Sequence, residues 1–167
     1  MEVNKCFDNI LVLHSLSKRS NLPGFRSGCA TGDKKIISAY SKYRMFHGVS
    51  VPLPIQNASV LAWEDYETVE DNRALYKEKF KLAEKILEKN SLIPEGAFYL
   101  WLKVKDSEIF TKKLYDEEQV IVLPGKYLGT KNNGNNPAEQ FLRIALVHDI
   151  KLTSKALKSI KKIIDND

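Results

Sequence analysis

Asn9-Ile-Leu-Val-Leu-His-Ser15-Leu-Ser17-Lys18-Arg-Ser-Asn-Leu-Pro-Gly24-Phe-Arg26-Ser-Gly28 is the stretch on which the fold turns. It opens with a short apolar run, Asn9 to Leu13, of the kind that suits a strand buried on both faces of a parallel sheet. A polar segment follows and closes at Pro23-Gly24. Two hydroxyls, a lysine and an arginine thus sit in a glycine-bearing loop just beyond a strand. Ligands of open α/β sheets bind at the carboxyl ends of strands. Serine hydroxyls and a guanidinium fork suit a phosphate, and glycines let the backbone approach it. Lysine is the residue of Schiff-base chemistry. These residue types describe a pocket for a phosphorylated aldehyde. The plainer alternative is a serine-rich surface loop with scattered cations.

The remaining chain reads as alternating helices and short strands. Phe25 to Ala30 forms a second short strand. Asp33 caps a helix whose Ile36, Tyr40, Tyr43 and Phe46 or His47 share a face. Val51-Pro-Leu-Pro54 breaks that helix. A short helix over Ile55 to Trp63 precedes a long one over Asp65 to Asn90, about 37 Å at 1.5 Å per residue, enough to bridge two structural units. Pro94-Glu-Gly96 is a turn. Ala97 to Val104 alternates as a strand, with Phe98, Leu100, Leu102 and Val104 on one face. Asp106 caps a helix to about Glu117. Gln119 to Leu123 is a strand ending at Pro124-Gly125, residues 131–137 are a polar loop, and Phe141 to Val147 is a strand. Thr153 caps the last helix, which carries Ala156, Leu157, Ile160 and Ile164.

Composition narrows the function classes. The 167 residues are 43% hydrophobic and 28% charged, so there is apolar material for a core and disorder is excluded as the main description. The longest strictly apolar run, Ala97 to Leu102, is far shorter than the roughly 18 residues of a membrane span. Met1 to Asn9 holds no apolar signal region. Cys6 and Cys29 make no disulfide framework, which points to the cytoplasm. The net charge of +5, 26 basic against 21 acidic residues, permits an anionic partner without demanding one. Only Lys151 to Lys162 is one-sided, the solvated face of a helix. A weak nucleic-acid binder using that helix ranks low, so neither a nucleic acid nor a membrane is expected as partner. His14, His47 and His148 lack metal-ligand spacing, and no metal is expected. The glycine spacing fits neither a P-loop nor a dinucleotide fingerprint.

Ser15-Leu-Ser17-Lys18, a spacer, then Gly24-Phe-Arg26-Ser-Gly28 resembles the pyridoxal-phosphate lysine signature of class I/II aminotransferases. Glu95-Gly-Ala-Phe-Tyr99, Val122-Leu-Pro-Gly125 through Gly129, and Phe141-Leu-Arg143-Ile-Ala-Leu146 resemble later segments of the same family in the same order. The stretches 14–24 and 46–56 are similar to bacterial succinyldiaminopimelate transaminases and aspartate aminotransferase-like enzymes. The resemblance implies an α/β fold, the C-terminal portion of a PLP-dependent transferase. Residues 1–62 would be a remnant of the large domain, 63–90 the connecting helix, and 91–167 a small α+β domain with a mainly antiparallel sheet. The cofactor it implies is pyridoxal 5'-phosphate. Lys18 would form the Schiff base with it and shuttle the proton between substrate Cα and cofactor C4′. Ser15, Ser17 and Arg26 would hold its phosphate. Arg143 would clamp the substrate α-carboxylate.

Read without the resemblance, Arg143 lies in an apolar strand and shares a face with Phe141 and Ala145. Either it is buried and needs an anion, or the strand is an edge whose face is wet. Implied substrates are amino acids and 2-oxo acids, with N-succinyl-diaminopimelate and glutamate as the narrower pair. Implied partners are a second copy, since the family is dimeric, and the absent N-terminal half, supplied in trans. That half carries the family's aspartate to the pyridine nitrogen, its tyrosine and its ring-stacking aromatic, and no residue here takes those roles. A truncated, poorly active chain is therefore expected. The rival is a catalytically inactive fragment that acts only in assembly or interaction.

Overall fold

The computed structural model describes residues 6–48, 50–88 and 91–166. The chain divides into two compact units, one running to Asn72 and the other from Arg73, with the division inside a helix.

In the first unit β1 (Leu11–Ser15) pairs antiparallel with β2 (Gly28–Gly32). The expectation of a two-face-buried parallel strand over Asn9 to Leu13 is corrected. The register sets Leu11 against Gly32, Leu13 against Ala30 and Ser15 against Gly28. Partners that small give no cover, and Leu13 stays 66% exposed. The second strand also begins later than Phe25, because Pro23–Phe25 close into a 3-10 turn. Gly32 has φ 147°, and a Cβ there would meet the Ile10 carbonyl oxygen at 2.0 Å, so only glycine closes this end of the hairpin.

Asp33 caps α2 (Lys34–Phe46), accepting from the amides of Lys35 and Ile36. These bonds and one from the Asn9 amide hold its carboxyl below the usual range, the Asn9 bond contributing most. The face expected to be apolar is open within this unit: Tyr43 and Phe46 are exposed, and Tyr43 stacks on His47. The expectation that Val51-Pro-Leu-Pro54 breaks α2 is corrected: α2 already ends at Phe46 with His47 as its C-cap, and Pro52-Leu-Pro54 starts α3 (Leu53–Glu64), since proline fits the first helical turn. The long helix α4 runs Glu67–Leu87, shorter than the expected Asp65 to Asn90, whose last two residues lie outside the described ones.

The second unit is a four-stranded antiparallel sheet with helices against it. Its strands are β3 (Ser91–Leu92), β4 (Tyr99–Lys103), β5 (Leu123–Pro124) and β6 (Phe141–Ala145), in the order β3-β4-β6-β5. Alternation places Leu100 and Leu102 of β4 and Leu142 and Ile144 of β6 on the buried face. Against them pack Leu114 of α5 (Ser107–Glu118), Leu157, Ile160 and Ile163 of α6 (Ile150–Asp165), and Ala83 and Leu87 of α4.

Asp106 caps α5 as expected, accepting from Glu108 and Ile109. The strand expected over Gln119 to Leu123 shrinks to β5, because Gln119 turns left-handed (φ 55°) to end α5 and delays the pairing. Thr153 does not cap α6. Asp149 does, accepting from Lys151 and Leu152, while Thr153 lies buried one turn in and donates to the His148 carbonyl. Glu118 accepts from Lys162 and Ser159 and ties α5 to α6, and these bonds, Lys162 first, hold its carboxyl below the usual range. Glu108 accepts from both Lys126 and Tyr127 and pins the 3-10 turn after β5 to α5.

Candidate active site

The lysine-bearing turn is built outward from Ser15. This residue ends β1 in extended conformation and caps the short helix α1 (Leu16–Arg19), its Oγ accepting from the Ser17 amide at 3.1 Å. The same hydroxyl donates to the Ser27 carbonyl at 3.4 Å, a long bond that a better acceptor would replace. Leu16 is fully buried beneath the turn, and its amide and carbonyl bond to Ser27, Ser20 and Leu22. An anchored Leu16 therefore sets where Ser17 and Lys18 project. Ser17 is half-buried and Lys18 exposed.

Arg26 returns the chain toward β2. It adopts φ 50°, and its Nη1 donates to the Pro23 carbonyl at 2.9 Å, holding the guanidinium over its own turn. Gly28 lies opposite Ser15, and a Cβ there would stand 2.7 Å from the His14 carbonyl oxygen. Glycine here lets the two strands close, which brings the Arg26 end of the loop back to the Ser15 end. Ser15, Ser17, Lys18 and Arg26 thus belong to one wound segment.

The donor set of this segment fits a phosphate. From Asn9 to Gly32 the chain holds Lys18, Arg19 and Arg26 and no aspartate or glutamate. A group with several acceptor oxygens and negative charge suits hydroxyl, ammonium and guanidinium donors without a competing carboxylate. The His14 ring lies 5.6 Å from that of Trp63.

Arg19, beside Lys18 in sequence, was not singled out by the pattern and has a different task. Its guanidinium donates to the carbonyls of Ala62 (2.7 Å) and Trp63 (3.0 Å) and lies over the rings of Trp63 and Tyr66. Those carbonyls close α3 and need donors. The available signal was a helix end with no basic residue of its own in its last turn.

In the second unit Arg143 sits at the middle of β6. This strand is interior, between β4 and β5, so the edge-strand alternative does not apply. Arg143 faces away from the core, half-buried, with Trp101 and Leu123 as register partners. Its guanidinium carbon lies 4.7 Å from the centroid of the Tyr99 ring. Among the described residues no carboxylate pairs with it, so a cation with a five-donor fork lies on a largely aromatic sheet face.

Among the described residues no group of three His, Cys, Asp or Glu is placed to hold a metal. No described helix is long and apolar enough to cross a membrane.

Comparison with known proteins gives one consistent family. The family model for aminotransferase class I and II matches residues 2–160. The transaminase OxyQ of Streptomyces rimosus, which acts on 4-dedimethylamino-4-oxo-anhydrotetracycline by its name, is 35% identical over 142 residues, 83% of this chain and 38% of that protein. An LL-diaminopimelate aminotransferase of Natranaerobius thermophilus is 36% identical over 140 residues, 80% of this chain and 35% of that one. Among solved structures, an aminotransferase of Neisseria meningitidis Z2491 superposes with TM-score 0.87 at 38% identity, covering 97% of this chain and 42% of that one. The aminotransferase AspB of Helicobacter pylori 26695 gives 0.86 at 39%, covering 98% and 42%. The chain therefore spans about two fifths of the length of the proteins it matches. With the family model running through both units, from the lysine turn to α6, this chain belongs to the class I and II aminotransferases, a pyridoxal-phosphate-dependent family.

Proposed function

We propose that this chain carries the cofactor-lysine segment and the substrate-carboxylate arginine of an aminotransferase that moves an amino group between an amino acid and a 2-oxo acid. The observation that carries the reading is the wound turn of Ser15, Ser17, Lys18 and Arg26 in a stretch free of acidic residues. Ser15, Ser17 and Arg26 hold the cofactor phosphate. Ser15 does so by exchanging its 3.4 Å bond to Ser27 for a phosphate oxygen. Lys18 Nζ anchors the cofactor and moves the proton at substrate Cα. Arg143 takes the substrate α-carboxylate through two parallel N–H bonds. Pyridoxal 5'-phosphate, when bound, supplies the electron sink that makes the Cα proton removable.

In this reading residues 1–62 belong to the large cofactor-binding domain, 63–90 connect, and 91–167 form the small domain. The narrower substrate is N-succinyl-diaminopimelate with glutamate as donor. Support comes from the resemblance over 14–24 and 46–56 and from diaminopimelate aminotransferases among the relatives. Because the chain spans about two fifths of those relatives, we propose that the 167 residues alone turn over poorly and gain activity when the part they do not cover is supplied in trans from such a relative, within a dimer.

The test is reduction with borohydride after adding pyridoxal 5'-phosphate, followed by peptide mass mapping. Label concentrated on Lys18 and lost in Lys18→Ala is the expected result. Arg26→Ala should weaken cofactor binding, and Arg143→Ala should spare it. Label spread evenly over surface lysines, or equal in Lys18→Ala, overturns the assignment and favours the inactive assembly fragment.

A further inference from the structure

We infer that Tyr99 is a positioning residue for Arg143: its ring presets the guanidinium for a carboxylate, an inference that rests on the carboxylate role proposed for Arg143. The two residues belong to neighbouring strands. Tyr99 pairs with Ala145 and Trp101 with Arg143, so Tyr99 is the diagonal neighbour of Arg143 on the outward sheet face. The guanidinium carbon stands 4.7 Å from the ring centroid, inside the range of cation–π attraction.

The ring is itself backed. Phe98 packs against Tyr99 at 4.2 Å between centroids, and Tyr76 of α4 packs against Phe98 at 5.7 Å. Lys79, one turn along α4, lies 4.9 Å from the Tyr76 ring and donates to the carbonyl of Leu146, three residues beyond Arg143. Contacts therefore run from Arg143 through three rings and back to its own segment, all within the second unit.

The chemistry of the partner matters. A ring face attracts the cation through its quadrupole, yet it does not compete with a carboxylate as a hydrogen-bond acceptor. Arg19 makes the contrast, since two of its nitrogens are committed to carbonyl oxygens. Tyr99 limits the rotamers of a long side chain while leaving the fork able to take an anion. Ordering the arginine beforehand removes part of the entropy that binding would otherwise cost.

Nuclear magnetic resonance of the full chain tests this with 2-oxoglutarate as probe. In the parent, the Arg143 side-chain protons carry a ring-current shift, and the Nε–Hε signal moves on titration. Tyr99→Leu should lose the ring-current shift and bind the probe roughly two- to fivefold more weakly, the range of an exposed cation–π contact. Tyr99→Phe should keep both. Pentafluorophenylalanine at this position preserves the shape, reverses the quadrupole and should bind as weakly as Tyr99→Leu; it decides the matter if Tyr99→Leu does not fold. Arg143→Ala should abolish the titration. Parent affinity in the leucine or pentafluoro variant, with Arg143→Ala inactive in binding, overturns the positioning role alone. A titration unchanged in Arg143→Ala overturns the carboxylate assignment, and the inference falls with it.

Discussion

Replacing Lys79 by methionine removes a buried charge while keeping most of the side chain's length. Lys79 is 2% exposed, and its Nζ donates to the Leu146 carbonyl at 2.9 Å. Burial pushes its ammonium below the ordinary lysine range, and the charge of Asp149 opposes this in part. Two effects of opposite sign follow from Lys79→Met. Methionine needs no desolvation, which favours the variant. It also leaves the carbonyl of Leu146, itself 2% exposed, without its donor. Loss of a hydrogen bond to a charged group costs about 1.5–3 kcal/mol. Loss of the contact with Tyr76 adds about 0.5–1 kcal/mol. The relief of desolvation offsets part of this sum, leaving the variant about 1–3 kcal/mol less stable near neutral pH.

The pH dependence is the sharper readout. A lysine whose folded pKa lies below its unfolded value binds fewer protons folded than unfolded between the two values, so stability rises with pH across that window. The parent should therefore gain stability from the depressed value up to the ordinary 10.5, and the methionine variant should lack that gain. Urea unfolding of both proteins, followed by Trp101 fluorescence in a Trp63→Phe background, gives the difference at each pH between about 7 and 10. Taking the difference cancels Lys126, Lys161 and Lys162, whose pKa values are raised by their carboxylate partners. The gap between parent and variant should widen as pH rises. A gap that stays constant or narrows would mean that the Lys79 ammonium keeps its water, and the burial argument would be refuted.

Asp106→Ala removes the two bonds that start α5 and should cost about 1 kcal/mol, read as a lower thermal midpoint for the second unit. Gly28→Ala places a methyl 2.7 Å from the His14 carbonyl oxygen. It should strip hydrogen-exchange protection from β1 and β2 while leaving β6 unchanged, and protection retained in β1 would contradict the close approach. Glu118→Gln should flatten the acid side of the stability curve. Because the folded carboxyl is held low, mainly by Lys162, its contribution is present above the ordinary 4.5 and is lost as pH falls through the depressed value. An acid limb identical to the parent's would contradict that link between α5 and α6.

Legibility in the sequence followed the range of the interaction. Asp33 and Asp106 were readable as caps because an N-cap bonds amides only two or three residues ahead. Thr153 misled for the same reason: Asp149, four residues earlier, offers the same chemistry, and the start of the amphipathic pattern does not choose between them. Alternation in β4 and β6 located the core face, since Leu100, Leu102, Leu142 and Ile144 are a period-2 signal. The apolar run of β1 does not fix its burial. Periodicity reports what a strand could bury and says nothing of its neighbour, which turned out to be Gly28, Ala30 and Gly32. The candidate loop was legible as a unit because hydroxyls, lysine, arginine and glycines cluster within one local segment. Lys79 was not, because its acceptor is 67 residues away and no local pattern marks it.

The cations make the general point. Arg19, Lys79 and Arg143 are all basic side chains, and each stands beside aromatic residues in space. What separates them is the acceptor each one meets. Arg19 and Lys79 donate to backbone carbonyls that helix α3 and the end of β6 leave unpaired, so their positive charge is spent on completing the fold. Arg143 meets a ring face and no carboxylate among the described residues. A half-buried cation in that state keeps its hydrogen-bonding capacity available for an anion. The role proposed for Arg143 is to take a substrate carboxylate. That proposal asks for an arginine whose donors are still available, and among the described residues none of those of Arg143 is taken by a carboxylate or a carbonyl.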